Sequence, residues 1–456
     1  MRTRSFALSL LTAASLSACS LAPTYERPAA PVAAAFPDPS ASGGAAAADL
    51  AWADFLTDAR QRALVQLALQ NNRDLRIAVL NVEQVRAAYG VQRADRLPSI
   101  GVGATGSRTT GLVSTYTVGF SVTAFELDLF GRVKSLSDAA LARYFASEEG
   151  RRTAQSTLIA GVANADLAVR SDDELLQVTQ RTLASREEGL KLTKVRFDAG
   201  AAAEPELRNA ESLVAAARVS LIALQRQRSQ DLNALVLLVG QPLPATLPAA
   251  STLASVQFAD VPAGVPSDVL LQRPDVRQAE QTLIAANANI GAARAAFFPR
   301  ITLTGSIGTA STQLSGLFEH TAWSFAPQLL QPLFDAGRNQ SNLDSAKAGR
   351  DIAVAQYEKA IQVAFREVAD ALAGRATLAD QLTAQQAQAS AETRRLALAE
   401  LLLQGGAASL LDRLDAERSA LTAQQAVVQL QLAKAQNAVL LYRVLGGGAG
   451  PAVVTQ

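Results

Sequence analysis

Few side chains in this chain could do chemistry, and their spacing offers little scope for it. Its 456 residues hold one Cys (Cys19) and one His (His320). A disulfide within the chain is therefore impossible, and a His/Cys metal cage finds no set of ligands. No nucleophile is spaced with a base, so the reading is of a protein that is not an enzyme, with no catalytic residue, metal or cofactor. His320 reads as an exposed loop residue just before Trp323. Gly101, Gly103 and Gly106 spell G-x-G-x-x-G. A dinucleotide cradle needs that pattern after a strand and opening a helix, whereas here a helical stretch precedes it and a strand-like run carries it. Charge remains. Asp412, Asp415 and Arg418 stand three apart, on one face of a helix. Taken alone, Asp415 and Arg418 read as a solvated i, i+3 pair worth about 0.2–0.5 kcal/mol.

Cys19 has a context of its own. Arg2 and Arg4 precede an apolar run from Phe6 to Leu16, and Leu16-Ser17-Ala18-Cys19 closes it. The arrangement is a signal peptide over residues 1–18, and its end resembles the bacterial lipoprotein signal. Cys19 is then the lipidated first residue of the mature chain, with Ser20 rather than Asp after it, the pattern of outer-membrane sorting. A lipid anchors a protein without spanning the bilayer. No other stretch has about 18 uninterrupted apolar residues, so no transmembrane helix is expected. A spanning part must then be a closed β-barrel. The net charge of +1 suggests no polyanionic partner, and so no nucleic acid.

The elements that position these residues come in duplicate. Gly90, Arg93, Pro98 and Ile100 recur 201 positions later as Gly291, Arg294, Pro299 and Ile301. Gly131-Arg132, Gly200, Ala210-Glu211 and Gly240 recur 206 positions later as Gly337-Arg338, Gly406, Ala416-Glu417 and Gly446. Each copy is helix, hairpin, long helix, glycine turn, return helix. Residues 19–57 form an Ala/Pro/Gly-rich lipidated tether. The first repeat covers 58–240, with helix from Asp58 to Leu97, hairpin 99–128, long helix 132–198 and return helix 203–239. After a Pro-rich linker (241–266), the second covers 267–446, with hairpin 300–334, long helix 337–404 and return helix 408–445; 447–456 is a flexible tail.

In the hairpins, Tyr116, Val118, Phe120 and Val122 alternate with Thr117, Gly119, Ser121 and Thr123, and Trp323, Phe325 and Leu329 with Ser324, Ala326 and Gln328. A period of two and about ten residues suit a tilted membrane strand. Tyr116, Val118, Phe120, Trp323 and Phe325 therefore read as lipid-facing, a soluble core being the alternative. The proline-free runs Arg132–Asp198 and Gly337–Gln404 would each reach roughly 100 Å as helix. Ile361, Phe365, Val368 and Leu372 mark a heptad-like seam, as do Val428, Leu432, Ala435 and Val439. Gly200 and Gly405-Gly406 end the long helices. Hairpins are expected at one end and glycine turns at the other. Four strands cannot close a barrel, so the chain must oligomerise.

The segments GVPSDVLLQRPDVRQAEQTLIAANANIGAARAAFFPRITLTG (264–305), LFDAGR (333–338), RDIAVAQYEKAIQVAFREVADAL (350–372), LLDRLDAERSAL (410–421) and LLYRVLGGG (440–448) closely resemble the lipoprotein outer-membrane factors of RND-type tripartite efflux pumps, the OprM/NodT-like branch of the TolC superfamily. The resemblance implies a mainly α fold with a transmembrane β-barrel: a homotrimer sharing a 12-strand barrel above a periplasmic α-barrel. It implies a passive exit duct for drugs or other small amphiphilic compounds, resting in the outer membrane of a Gram-negative bacterium. The partners would be a periplasmic adaptor protein, an inner-membrane RND pump and outer-membrane lipid. A type I protein-secretion duct is the runner-up, and a structural coiled-coil spacer the reading from another class. The family's gate pattern falls on Asp412, Asp415 and Arg418; the matching positions of the first repeat are Glu206, Asn209 and Ser212, of which Glu206 and Asn209 are carried as gate residues. Gly200, Gly405 and Gly406 would form the tips that dock the adaptor. The family's Tyr-Arg pair before the second tip is replaced by Leu402-Leu403-Gln404.

Overall fold

A computed structural model of the chain describes residues 21–33, 36, 47–108, 110–261 and 267–450. The leader, Cys19, part of the tether, the end of the linker and the last tail residues lie outside the described residues. After a single helical turn at Trp52–Phe55, the elements are α1 (Ala59–Asn71), α2 (Arg73–Ala94), β1 (Ile100–Ser107), β2 (Thr115–Glu126), α3 (Arg132–Asp198) and α4 (Glu204–Val239). The second copy supplies α5 (Pro274–Ala295), β3 (Arg300–Ser311), β4 (Thr321–Leu330), α6 (Arg338–Gln404) and α7 (Leu410–Val444). None of these helices is long and apolar enough to cross a membrane.

The helix expected from Asp58 to Leu97 is broken in two, and Asn72 is the reason. Its backbone is extended, its N–H closes α1 onto the Ala68 carbonyl, and its Oδ1 accepts from Leu75 N at 2.8 Å to start α2. Its amide also donates to the Leu238 carbonyl at 2.8 Å. One Asn thus ends one helix and caps the next.

The chain divides into two compact units: residues 1–31, 78–151 and 275–361, and residues 32–77, 152–274 and 362–456. The first unit carries a four-stranded antiparallel sheet in the order β1-β2-β3-β4. The two hairpins are joined directly through β2 and β3, which sequence periodicity alone does not specify. β2 carries a bulge between Val122 and Phe125, where Ala124 has φ 51°. The extra residue shifts the side-chain parity, so Phe125, opposite Leu303, rejoins the face of Val122 rather than that of Thr123. Below the sheet, Ala139 and Ala142 of α3 pack on Ala285 and Ala288 of α5, small residues that let the helices approach closely.

In the second unit Phe55 stacks between Tyr442, 4.0 Å away, and Phe258, 5.2 Å away. Leu56 and Phe258 form an isolated bridge. Of the expected seams, Ile361, Val368 and Leu372 are buried, as are Val428, Ala435 and Val439, and Phe365 stacks on Phe36.

Candidate functional site

The sheet sorts its side chains by face. Val102, Phe120, Ile307 and Trp323 lie directly opposite one another across all four strands. One residue along, the row is Gly101, Ser121, Ser306 and Ser324. Tyr116, Val118, Phe120, Trp323 and Phe325 therefore share one face, where Phe120, Trp323 and Phe325 are 57%, 76% and 62% exposed. The other face carries hydroxyls that bond across strands, Thr105 to Thr117 at 2.6 Å and Ser306 to Ser324 at 2.7 Å. An apolar face left bare opposite a face of small polar groups suits a sheet with lipid on one side and water on the other. β1 and β4 are its two edges.

The glycine turns belong to the second unit. At the end of α3, Gly200 has φ +69°, with Ala201 N donating to Arg196 O at 2.7 Å and Gly200 N to Phe197 O at 2.9 Å. At the end of α6, Gly406 has φ +71°, with Ala407 N donating to Leu402 O at 2.8 Å and Gly406 N to Leu403 O at 3.1 Å. Both are Schellman stops, which need a left-handed residue that Gly supplies without strain. Gly405 is the residue before that position, without a positive φ. Leu402 and Leu401 are exposed beside it.

The three charges of α7 do not act as one set. Asp412 is turned back onto the helix start: Ser409 N and Oγ donate to its Oδ2 at 3.0 and 2.7 Å, and its own N–H donates to Ser409 Oγ at 3.2 Å. This capping box holds the Asp412 carboxyl below its ordinary pKa, chiefly through the Ser409 side chain. Asp415 is the centre of the remaining pair. It accepts from Arg418 Nη2 at 2.7 Å and from Arg395 Nη2 of α6 at 3.0 Å. Arg395 also pairs with Glu392 at 2.9 Å and donates to Ser419 Oγ at 3.0 Å. Arg418 is largely exposed. Glu206 and Asn209, in the first turns of α4, are not brought to these charges. They border a small cleft with Arg186, Gly189, Arg413 and Glu417.

Sequence reasoning did not single out Arg186, Arg395, Arg413 or the role of Glu417. One signal existed. Leu410, Arg413, Leu414 and Glu417 run i, i+3, i+4, i+7, which puts two charges into an apolar seam. It also passed over Asp172, on α3, whose carboxyl is pushed up by burial and then by the facing Asp231 and Asp173.

A family model for outer membrane efflux proteins matches residues 64–241 and 265–447. The solvent efflux pump outer membrane protein SrpC of Pseudomonas putida is 46% identical over 452 residues, covering 95% of this chain and 96% of that protein. Outer membrane protein OprJ of Pseudomonas aeruginosa is 45% identical, covering 98% and 97%. Among solved structures, the open state of the Neisseria gonorrhoeae MtrE outer membrane channel superposes with a TM-score of 0.87 at 41% identity, covering 94% of this chain and 99% of that one. The chain belongs to the outer membrane efflux protein family, and it is the outer-membrane channel component of an efflux system.

Proposed function

We propose that three copies of this channel share one 12-strand barrel and carry small amphiphilic compounds, solvents and drugs among them, passively out of the cell. The observation that carries this reading is the open four-stranded sheet with one bare apolar face and two strand edges. Open edges are not viable in lipid, so the sheet needs further copies on both sides, and three give a barrel wide enough to leave a channel. Leu333 and Phe334, 94% and 91% exposed in the loop after β4, and Val91 on α2 are the kind of apolar surface that a neighbouring copy covers. The solvent cargo follows the name of SrpC. The duct catalyses nothing; its driving force comes from an inner-membrane pump of the RND type reached through a periplasmic adaptor, for which the glycine tips at Gly200, Gly405 and Gly406 are the docking surface.

The exposed Asp415–Arg418 pair, held from α6 by Arg395, is the constriction: repeated around a three-fold axis it makes a ring of paired charges that narrows the tip. Asp412, bound into its capping box, starts the helix that presents them, and Glu206 and Asn209 line the cleft behind. Cys19 carries the lipid that anchors the periplasmic chain to the outer membrane. Replacing Cys19 by Ser should abolish lipidation and leave the leader uncleaved, so that the protein changes mass by gaining residues 1–18 and losing the acyl groups; an unchanged mass and unchanged membrane partition overturn the anchor.

Cells lacking this protein should retain a fluorescent pump substrate, and plasmid-borne protein should restore its loss. Equal retention in both strains, with an altered set of secreted proteins instead, would replace efflux by protein secretion.

A further inference from the structure

α3 and α4 lie side by side in opposite directions, and side chains along the seam mark how they meet. Glu187 pairs with Arg218 at 2.7 Å and Asp173 with Arg228 at 2.5 Å, while Leu238 lies over Gly161, where a Cβ would stand 3.7 Å from its methyl. The first two contacts join opposite charges. Between Arg228 and Leu238, however, the seam brings two like groups together: Asp172 of α3 faces Asp231 of α4. The second repeat has no such pair. At the 206-residue offset Asp172 becomes Leu378 and Asp231 becomes Asn437. Asn437 Nδ2 donates to the Ala371 carbonyl of α6 at 3.0 Å, so a neutral amide serves where the first repeat has an acid.

Asp172 is 6% exposed, and its Oδ2 is buried without a hydrogen bond. A carboxylate so placed gives up its hydration for nothing in return, whereas a neutral carboxylic acid gives up far less and has a proton to donate. The charged groups that bear on it are Asp231 and Arg228 of α4 and Asp173 of its own helix. Arg228 is engaged by Asp173, whose two oxygens it approaches at 2.5 and 3.5 Å. Arg170, two residues earlier, is committed to Asp58, Asp166 and Ser251. Glu174 is turned to the linker, where it accepts from Leu253 N at 2.7 Å. Asp231 Oδ2 accepts from Gln227 Nε2 at 3.0 Å, a contact that orients the carboxylate without neutralising it. No cation among these is left over for Asp172. Burial first, then the hydrogen bond to Asp231 and its charge, push the Asp172 carboxyl from 3.8 up to about 7, against the weaker pull of Arg228.

We propose that Asp172 and Asp231 form a proton-holding joint in the helical wall of the first repeat. With the proton in place, Asp172 donates it to the Asp231 carboxylate and fastens α3 to α4. Without it, two carboxylates face each other and press the helices apart. The proton comes from water and returns to it, so no other reactant is needed. Because the folded chain holds this proton more tightly than the unfolded one, the joint's contribution is complete below 3.8 and is lost as pH rises through about 7. The wall is therefore firmer in mildly acidic surroundings than in alkaline ones. The joint depends neither on where the duct narrows nor on how many copies share the barrel.

The test is thermal unfolding of the full-length protein in detergent, followed by helical circular dichroism at about pH 5 and about pH 8, with infrared spectra of the same samples. Asp172→Asn, which keeps the shape and cannot ionise, should melt several degrees above the parent at the higher pH, with a clearly smaller difference at the lower. Asp231→Asn should likewise flatten the dependence on pH. The parent should show the C=O stretch of a protonated carboxyl that fades as pH rises through about 7, and Asp172→Asn should lack it. A polar contact with a merely structural role would instead weaken on substitution at both pH values. Equal losses at the two pH values, or melting temperatures of parent and variant that run parallel, overturn the joint. So does a parent in which no carboxyl loses its proton in that range. Should both variants fail to fold, the parent's infrared spectrum decides by itself.

Discussion

A valine in place of Gly308 should abolish assembly of the channel in the outer membrane. Gly308 and Gly119 are direct partners across β3 and β2. A Cβ on Gly308 would fall on the Val118 carbonyl and 2.5 Å from the Gly119 Cα; one on Gly119 would fall on the Ile307 carbonyl and 2.7 Å from the Gly308 Cα. The obstruction is backbone, not a side chain that could swing away, so the two strands must separate. β2 and β3 are also the joint between the hairpins of the two repeats. Every ladder bond opened there leaves polar groups facing hydrocarbon at a cost of several kcal/mol each. Gly305→Val is the control. Gly305 lies in the row of Val122 and Phe325, on the apolar face, and its Cβ would meet only the Ser324 carbonyl at 3.4 Å. Heat-stable oligomer in the outer-membrane fraction should vanish for Gly308→Val and persist for Gly305→Val. Parent-like amounts of the Gly308 variant would mean that β2 and β3 do not pair as described.

Removal of Arg170 should be the most costly single change in the second unit. Arg170 is 3% exposed. Its Nη1 and Nη2 each donate to Asp58 at 3.0 Å, its Nε to Asp166 at 2.8 Å, and Nη1 also to the Ser251 hydroxyl at 2.6 Å. Asp58 caps α1, Asp166 belongs to α3, and Ser251 to the linker between the repeats. One guanidinium therefore ties three distant stretches together. Arg60 reaches Asp166 at 3.2 Å, but it cannot also serve Asp58 in the same geometry. Arg170→Ala leaves the buried Asp166 with Arg60 alone and the half-buried Asp58 without its guanidinium partner, a loss of about 3 kcal/mol.

The same cluster sets an acid limb. Burial by itself would raise the Asp58 pKa. The hydrogen bonds from Arg170, Gln61 N–H and Ser251 outweigh it and bring the value down to about 2, from 3.8. A carboxyl with a depressed folded pKa contributes stability above its unfolded value and loses it as pH falls through the folded one. The contribution is about 2 kcal/mol at neutral pH, complete above about pH 4 and gone near pH 2. Thermal unfolding of the parent should fall across that window, and the Arg170→Ala curve should be lower and flatter there. Parallel curves for the two proteins would show that Asp58 draws nothing from Arg170.

Much of the architecture is local, and local features are legible in a sequence. The alternation from Tyr116 to Val122 can only be a strand with two unlike faces, and it is one. A run without proline from Arg132 to Asp198, stopped by a glycine that can take φ +69°, can only be one helix, and that is how α3 ends. The offset between copies carried this reading into β4 and α6. What sequence reasoning missed depends on partners far along the chain. Nothing near Ala124 announces the bulge, because the bulge is defined against β3, nearly 180 positions on. Asn72 looked like one polar residue in a helix until Leu238 supplied its amide's partner. On α7 the spacing of Asp412, Asp415 and Arg418 does not say which contacts each makes. Asp412 turned to Ser409, Asp415 to Arg395, and the buried face beside them took Arg186 instead. Periodicity determines that a helix has faces and a strand has sides. Only the packing of helices more than 200 residues apart in sequence decides which face is dry, and burial alone turns an ordinary Arg–Glu pair into one that cannot be broken cheaply.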